Sequence, residues 1–212
     1  MKIFYKDIQR FFYEKPSLED ISEKLYQLGH EHEIEKGLIN LEITPNRGDC
    51  LSLLGLARDL NVFYDSDLEI DSYELPIPEL DLDFENHSPI EMPAVTFLEL
   101  EVTNTTSKYK EYLDSYFKNL NINKNNFFTD ISNYVSYEMG QPTHCFDSKN
   151  LNGKIIFANR DCNETFKTLL GSRIILSGKN CIFHNNSKII SLAGIMGGAE
   201  TACSTETKKV LI

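Results

Sequence analysis

Residues 154–193, KIIFANRDCNETFKTLLGSRIILSGKNCIFHNNSKIISLA, decide the fold class. Five short β-prone runs sit inside this stretch: Ile155–Ala158, Thr165–Leu169, Ile174–Leu176, Cys181–His184 and Ile189–Ala193. Each holds β-branched or aromatic residues, and Asn, Gly, Ser and Lys separate them, as in strands joined by short turns. Upstream the period changes. Residues 108–120 carry Tyr109, Tyr112, Leu113, Tyr116, Phe117 and Leu120 on one helical side, and 129–139 predict a second helix that Gly140 stops. Those aromatics read as core rather than as a platform for stacking bases. Before them, Val95–Thr103 reads as a strand with Leu98, Leu100 and Val102 on one face. Helices followed by a sheet-rich half define an α+β class.

The N-terminal third is mainly helical. Ser17 can cap a helix over 17–28, with Asp20 three residues on, Leu18, Ile21, Leu25 and Leu28 on one face, and Gly29 as the stop. Ile39, Leu41 and Ile43 alternate with Asn40, Glu42 and Thr44, which predicts a short half-buried strand. Pro45-Asn46-Arg47-Gly48 must turn, and Asp49 can then cap a helix carrying Cys50, Leu53, Leu54, Ala57 and Leu60. Residues 1–63 are therefore expected to form a small helical domain. From Asp59 to Ser107 there is no Lys or Arg, but there are 13 acidic residues and prolines at 76, 78, 89 and 93. That composition predicts an acidic linker over 64–90 and a second domain over 91–212. The last residues, Lys208-Lys209-Val210-Leu211-Ile212, are strand-like and apolar. We expect the second domain to be truncated at its C-terminal side.

Composition excludes several classes. The 212 residues carry a formal charge of −11, which argues against a general nucleic-acid coat, since phosphate contacts need cations. No apolar run approaches the ~20 residues that span a bilayer, so no membrane association is expected. The N-terminus has no apolar core or cleavage site of a signal peptide. Five scattered cysteines with no CxxC pair read as reduced thiols in a cytoplasmic protein. No His, Cys, Asp or Glu cluster has metal-ligand spacing, so no metal site is expected.

Three segments can carry chemistry. Ile43–Cys50 is a turn in which Arg47 and Asp49 can pair. Asp130-Ile131-Ser132-Asn133-Tyr134-Val135, followed by Gly140-Gln141-Pro142-Thr143-His144-Cys145-Phe146-Asp147, groups compact hydrogen-bonding residues around a helix and its exit loop. His144 beside Pro142 and Phe146 is either a satisfied structural histidine or a neutral imidazole that orients water near pH 7. Cys145 offers a thiol next to it, but adjacent loop residues often point apart. Ser191–Glu200 runs from a strand into Gly194-Ile195-Met196-Gly197-Gly198, where the backbone can approach a ligand closely; it is neither a P-loop nor a GxGxxG fingerprint.

Together, Thr44-Pro-Asn-Arg-Gly-Asp-Cys, Asn133-Tyr-Val, Gly140-Gln-Pro-Thr-His-Cys-Phe-Asp147 and Ala193-Gly-Ile-Met-Gly-Gly198 resemble the β subunit of bacterial-type phenylalanyl-tRNA synthetase, in order over nearly the whole chain. The resemblance implies a B1-like domain over 1–63 and a β-β-α layered, B3/B4-like editing domain over 91–212. It implies an α2β2 partnership with a catalytic α subunit. That complex uses ATP and Mg; this chain binds neither. It implies hydrolysis of tyrosine misattached to the 3′ end of tRNA(Phe), by His144 acting near the ester, with Ser132, Asn133, Gly197 and Gly198 lining the pocket. Alternative readings are a scaffold whose editing has decayed and a stand-alone deacylase. The sequence departs from the family pattern in several places. Ser132 stands where threonine is common, and Asn123 where an arginine often is. No OB-fold insertion separates the first helix from Thr44. The glutamate that reads the tyrosine hydroxyl would follow Ile212. The isolated chain is accordingly expected to be inactive.

Overall fold

The computed structural model describes residues 1–68, 76–106 and 108–212. The fold is α+β and divides into two compact units, Met1–Leu75 with Thr106–Asn125 and Asp130–Thr143, and Pro76–Thr105 with Asn126–Thr129 and His144–Ile212.

In the first unit β1 (Lys2–Phe4), α1 (Tyr5–Gln9), α2 (Leu18–Gln27), β2 (Glu31–Glu35), β3 (Leu38–Glu42) and α3 (Leu53–Tyr64) follow in order. The strands form an antiparallel sheet ordered β1-β3-β2. Ile3, Ile8, Phe12, Ile21, Leu25, Ile39, Leu56 and Leu60 are its buried core. The predicted cap of α2 is present: Ser17 Oγ accepts from the Asp20 amide at 3.1 Å. The cap of α3 is not Asp49. Gly48–Cys50 is a short 3₁₀ turn, and Ser52 Oγ accepts from the Gly55 amide at 3.0 Å. The Asp49 carboxylate is engaged by Arg47 and Arg58 instead. The expected small helical domain thus contains a three-stranded sheet. β2 escapes hydrophobic patterning because its inward residue is His32, while Ile34 is exposed.

Two further helices group with this unit: α4 (Glu111–Asn119) and, from Asp130 on, α5 (Phe127–Met139). Leu113, Tyr116, Phe117 and Tyr134 are buried together, so most of the aromatic face is core as expected, whereas Tyr112 is exposed. Asp130, fully buried, accepts from the Asn125 amide at 2.8 Å and the Tyr109 hydroxyl at 2.7 Å. Gly140, at φ +73°, ends α5. Tyr137 packs against both this aromatic cluster and the N-terminal core, which is why residues expected in the 91–212 domain group with the first unit. An amphipathic pattern says that a face is buried, not against what.

The second unit holds β4 (Phe84–Asn86), β5 (Glu99–Glu101), β6 (Phe146–Asp147), β7 (Ile155–Lys167), β8 (Arg173–Asn185), β9 (Lys188–Leu192), β10 (Met196–Gly197) and β11 (Lys209–Leu211). One sheet is ordered β10-β9-β8-β7-β4 and the other β5-β11-β6. The predicted 155–158 run and the first three residues of the 165–169 run are one strand, with 168 and 169 in the turn that follows, and 174–176 and 181–184 are likewise one strand. The polar stretch between them stays in register, Asn159 opposite Cys181 through Glu164 opposite Leu176. A backbone ladder forms whatever the outward side chains are. Part of the acidic linker expectation is corrected: Phe84–Asn86 is an edge strand parallel to β7. Residues 69–75 of that linker lie outside the described residues.

Candidate active site

β6 begins two residues after His144, and Gly197 is the last residue of β10, just after the β9–β10 turn. The structure brings these two positions together. A Cβ built on Gly197 would fall 2.2 Å from His144 Cε1, 2.7 Å from its Nε2 and 2.6 Å from Leu169 Cδ1. Only glycine leaves room for the imidazole there. Phe146 packs edge-on against the ring at 4.5 Å, and the Leu169 amide donates to the Gly197 carbonyl at 2.9 Å. Phe146 and the Gly197 backbone therefore pack against the ring, and Leu169 flanks the same glycine.

That packing sets its charge. Burial lowers the His144 pKa below the usual histidine range, so the imidazole is neutral at pH 7. Its Nε2 is buried and has no hydrogen-bond partner among the described residues. Buried polar atoms are nearly always satisfied, and an orphan invites a functional reading. A neutral, desolvated imidazole nitrogen can accept a proton from water or donate to an ester oxygen, depending on tautomer.

The other residues expected at the site are placed differently. Gly198 is buried, but a Cβ there would meet the Ile190 carbonyl oxygen at 2.7 Å and Phe166 at 3.2 Å. Its amide donates to that carbonyl at 2.8 Å. Gly198 also borders a cavity of about 200 Å³ with Phe166, Lys167, Ile190, Glu200 and Thr201, whose wall does not include His144 or Gly197. Ser132 and Asn133 belong to the first unit. Ser132 Oγ lies 3.0 Å from the Thr143 carbonyl and 2.7 Å from Thr143 Oγ1, and Asn133 is exposed. Leu169 is the contact that sequence reasoning missed. The β7–β8 turn delivers it, and a Leu169-Leu170 pair at a hairpin end does not say which leucine turns toward the glycine.

The Thr44–Cys50 segment makes a different kind of centre. Arg47 donates from Nε and Nη2 to the two Asp49 oxygens, each at 3.1 Å, and from Nη2 to Asp59 and to Cys50 Sγ. His30 Nε2 lies 3.2 Å from Asp59 Oδ2. One ligand-type atom from each of His30, Cys50 and Asp59 lies within 4.8 Å of the others, a grouping that no sequence spacing revealed because three separate segments supply it. The donor set does not fit a metal ion. The Arg47 guanidinium already fills the cation position, and burial first, then Asp59, pushes the Cys50 thiol up to about 12, leaving it protonated. Burial works against Asp59 ionising, yet hydrogen bonds from Arg47, His30 and Cys50 hold its carboxyl below the ordinary range.

These features define an α+β protein whose second unit seats a buried neutral imidazole on a glycine. The chain belongs to the B3/4 domain family, which matches residues 94–212. It is similar to phenylalanine–tRNA ligase β subunits: 28% identical over 190 residues to that of Psychrobacter arcticus and 33% identical over 180 residues to that of Bdellovibrio bacteriovorus. These alignments cover 84% and 81% of this chain but 23% and 22% of the relatives, so the chain spans about a quarter of their length. The crystal structure of an N-terminal fragment of the phenylalanyl-tRNA synthetase β subunit from Pyrococcus horikoshii shares the fold, with a TM-score of 0.51 at 14% identity, covering 100% of this chain and 66% of that one.

Proposed function

We propose that this chain is the editing portion of a phenylalanyl-tRNA synthetase β subunit, hydrolysing the ester of tyrosine misattached to tRNA(Phe). The observation that carries the reading is the buried, neutral His144 with an unpartnered Nε2, seated on Gly197 inside a B3/4 domain. Tyrosine differs from phenylalanine by one hydroxyl, and an apolar synthetic pocket rejects an added hydroxyl poorly, so a second site must remove the error. Ester hydrolysis there needs a positioned water and stabilisation of the developing oxyanion. His144 is the group that orients the water. Gly197 keeps the space, and buried Gly198 fixes the turn beside it. Ser132 and Asn133 enter through the family resemblance alone.

The partner is the α subunit in an α2β2 complex in the cytoplasm, and the α subunit is where ATP, Mg and phenylalanine bind. No step on this chain is routed through them. The test is deacylation of tyrosyl- and phenylalanyl-tRNA(Phe) by the full complex. Selective release of tyrosine supports the reading. Release of neither, with aminoacylation intact, favours the scaffold alternative. Residues 1–212 alone are expected to release tyrosine far more slowly than the complex, because none of them matches the carboxylate that the resemblance assigns to selecting the phenol. Comparable rates would overturn that assignment.

A further inference from the structure

Phe146 pairs with Ala202 through an isolated antiparallel bridge. Continued by one residue, the antiparallel register of that bridge would oppose Cys145 and Cys203. Residues directly opposite in an antiparallel pair have Cα atoms about 4.5 or 5.5 Å apart and side chains on one face. A disulfide needs Cα atoms roughly 4.4–6.8 Å apart. Side-chain placement agrees independently. Cys203 Sγ lies 3.5 Å from the Cys145 carbonyl oxygen, and both residues join one apolar cluster with Phe128 and Val210. Asn126 Nδ2 donates to the Cys203 carbonyl at 3.1 Å and fixes that backbone. The remaining cysteines are not so opposed. Cys162 faces Gly178 and Cys181 faces Asn159 in the β7–β8 ribbon, and Cys50 belongs to the first unit.

We infer that Cys145 and Cys203 form a cross-strand dithiol that closes to a disulfide when the chain meets a low-molecular-weight disulfide such as oxidised glutathione. Cys203 is half-buried and Cys145 buried, so Cys203 reacts first. Its thiolate attacks the external disulfide, forms a mixed disulfide and releases one small thiol. The Cys145 thiolate then attacks Cys203 Sγ and releases the second. One Sγ–Sγ bond replaces two S–H bonds, and the external disulfide is reduced to two thiols. Burial first, then the charges of Cys145 and Asp147, push the Cys203 thiol up to about 12, so exchange is slow at neutral pH. All five cysteines are thiols in this structure. The inference stands independently of the editing reading, although closure would tether the residue next to His144.

The test is incubation of the folded chain with excess oxidised glutathione, alkylation of remaining thiols and non-reducing peptide mapping. We expect reactive thiols to fall from five to three, a Cys145–Cys203 linked peptide, and a higher thermal midpoint that dithiothreitol reverses. Cys203→Ala should abolish the linkage, and Cys145→Ala should leave a stable glutathione adduct on Cys203. Cys162→Ala and Cys181→Ala should change nothing. A linkage between other cysteines, a lasting adduct on Cys203 in the unmodified sequence, or five alkylated thiols after treatment would overturn the inference.

Discussion

The Arg47 centre and the His144 seat are both built on a glycine next to a polar motif, yet they end in opposite states. At the first, a Cβ on Gly55 would fall 1.8 Å from the Asp49 carbonyl oxygen, so backbone rests on backbone. Arg47, Asp49, Asp59, His30 and Cys50 then satisfy one another. At the second, the glycine makes room for a side chain, and that side chain is left with a buried nitrogen and no partner among the described residues. A polar cluster that closes on itself holds a fold together, whereas one that stays open is available to something else. Two motifs that look equally conspicuous in the sequence are told apart by whether their hydrogen bonds are used up.

The sharpest way to break this contrast is His144→Gln in the full complex. Tyrosine release should fall about 10²–10⁴-fold, the usual worth of a positioned acid–base group, while aminoacylation stays unchanged. Unaltered release would remove His144 from the chemistry. Next comes a pair of glycine substitutions read by urea unfolding. Gly55→Ala forces backbone apart and should cost about 3 kcal/mol, whereas Gly197→Ala displaces side-chain ends and should cost about 1–2 kcal/mol. The second should nevertheless slow tyrosine release like the loss of His144. The reverse order of stability costs would undo the comparison. Asp59→Ala removes the partner of buried His30 and one of the two carboxylates on Arg47, and should cost about 2 kcal/mol with no change in the pH profile of deacylation.

The smallest effects are in pH. Asp7, also in the first unit, is pushed up to about 6 by burial, above the usual carboxylate range. The native state therefore holds its proton more tightly, and this residue costs stability as pH rises from about 4 to about 6. Asp7→Asn should raise the unfolding free energy by about 1 kcal/mol at pH 7.5 and by nothing at pH 3.5. His144 has the opposite sign. Its lowered pKa makes the native state the poorer proton binder, so its contribution is present above pH ~6.5 and lost as pH falls below that value. Comparing His144→Gln with the parent in acid unfolding isolates that loss.

How far the sequence carried the reading depends on whether the signal was local. Ser17 capping α2, Gly140 ending α5 and the Arg47–Asp49 pair were legible because partners lie within a few residues. The cap of α3 was misplaced by three residues because Asp49 and Ser52 are both good caps, and a distant arginine decides which one is occupied elsewhere. The ribbon of β7 and β8 looked like four runs because the polar residues 159–164 interrupt the hydrophobic pattern without interrupting the ladder. At the candidate site, His144 and the glycines stood out by type. The meeting of His144 with Gly197, the Leu169 contact and the packing of Gly198 on Ile190 depend on strand register and were invisible before it was known.

The interleaving of the two units has a consequence for genetic exchange. The chain passes from one unit to the other after residues 75, 105, 125, 129 and 143. A recombination with a single crossover near residue 90 would splice a foreign β-ribbon onto a native N-terminus, but it would also replace α4 and the part of α5 that carries Tyr134 and Tyr137. The aromatic surface that Tyr137 offers to the N-terminal core would then come from a stranger. Each unit can drift by point substitution, but neither can be inherited as a block. Chimeras joined at that point should be insoluble unless the donor supplies a matching first unit, so the two parts are bound to a common line of descent.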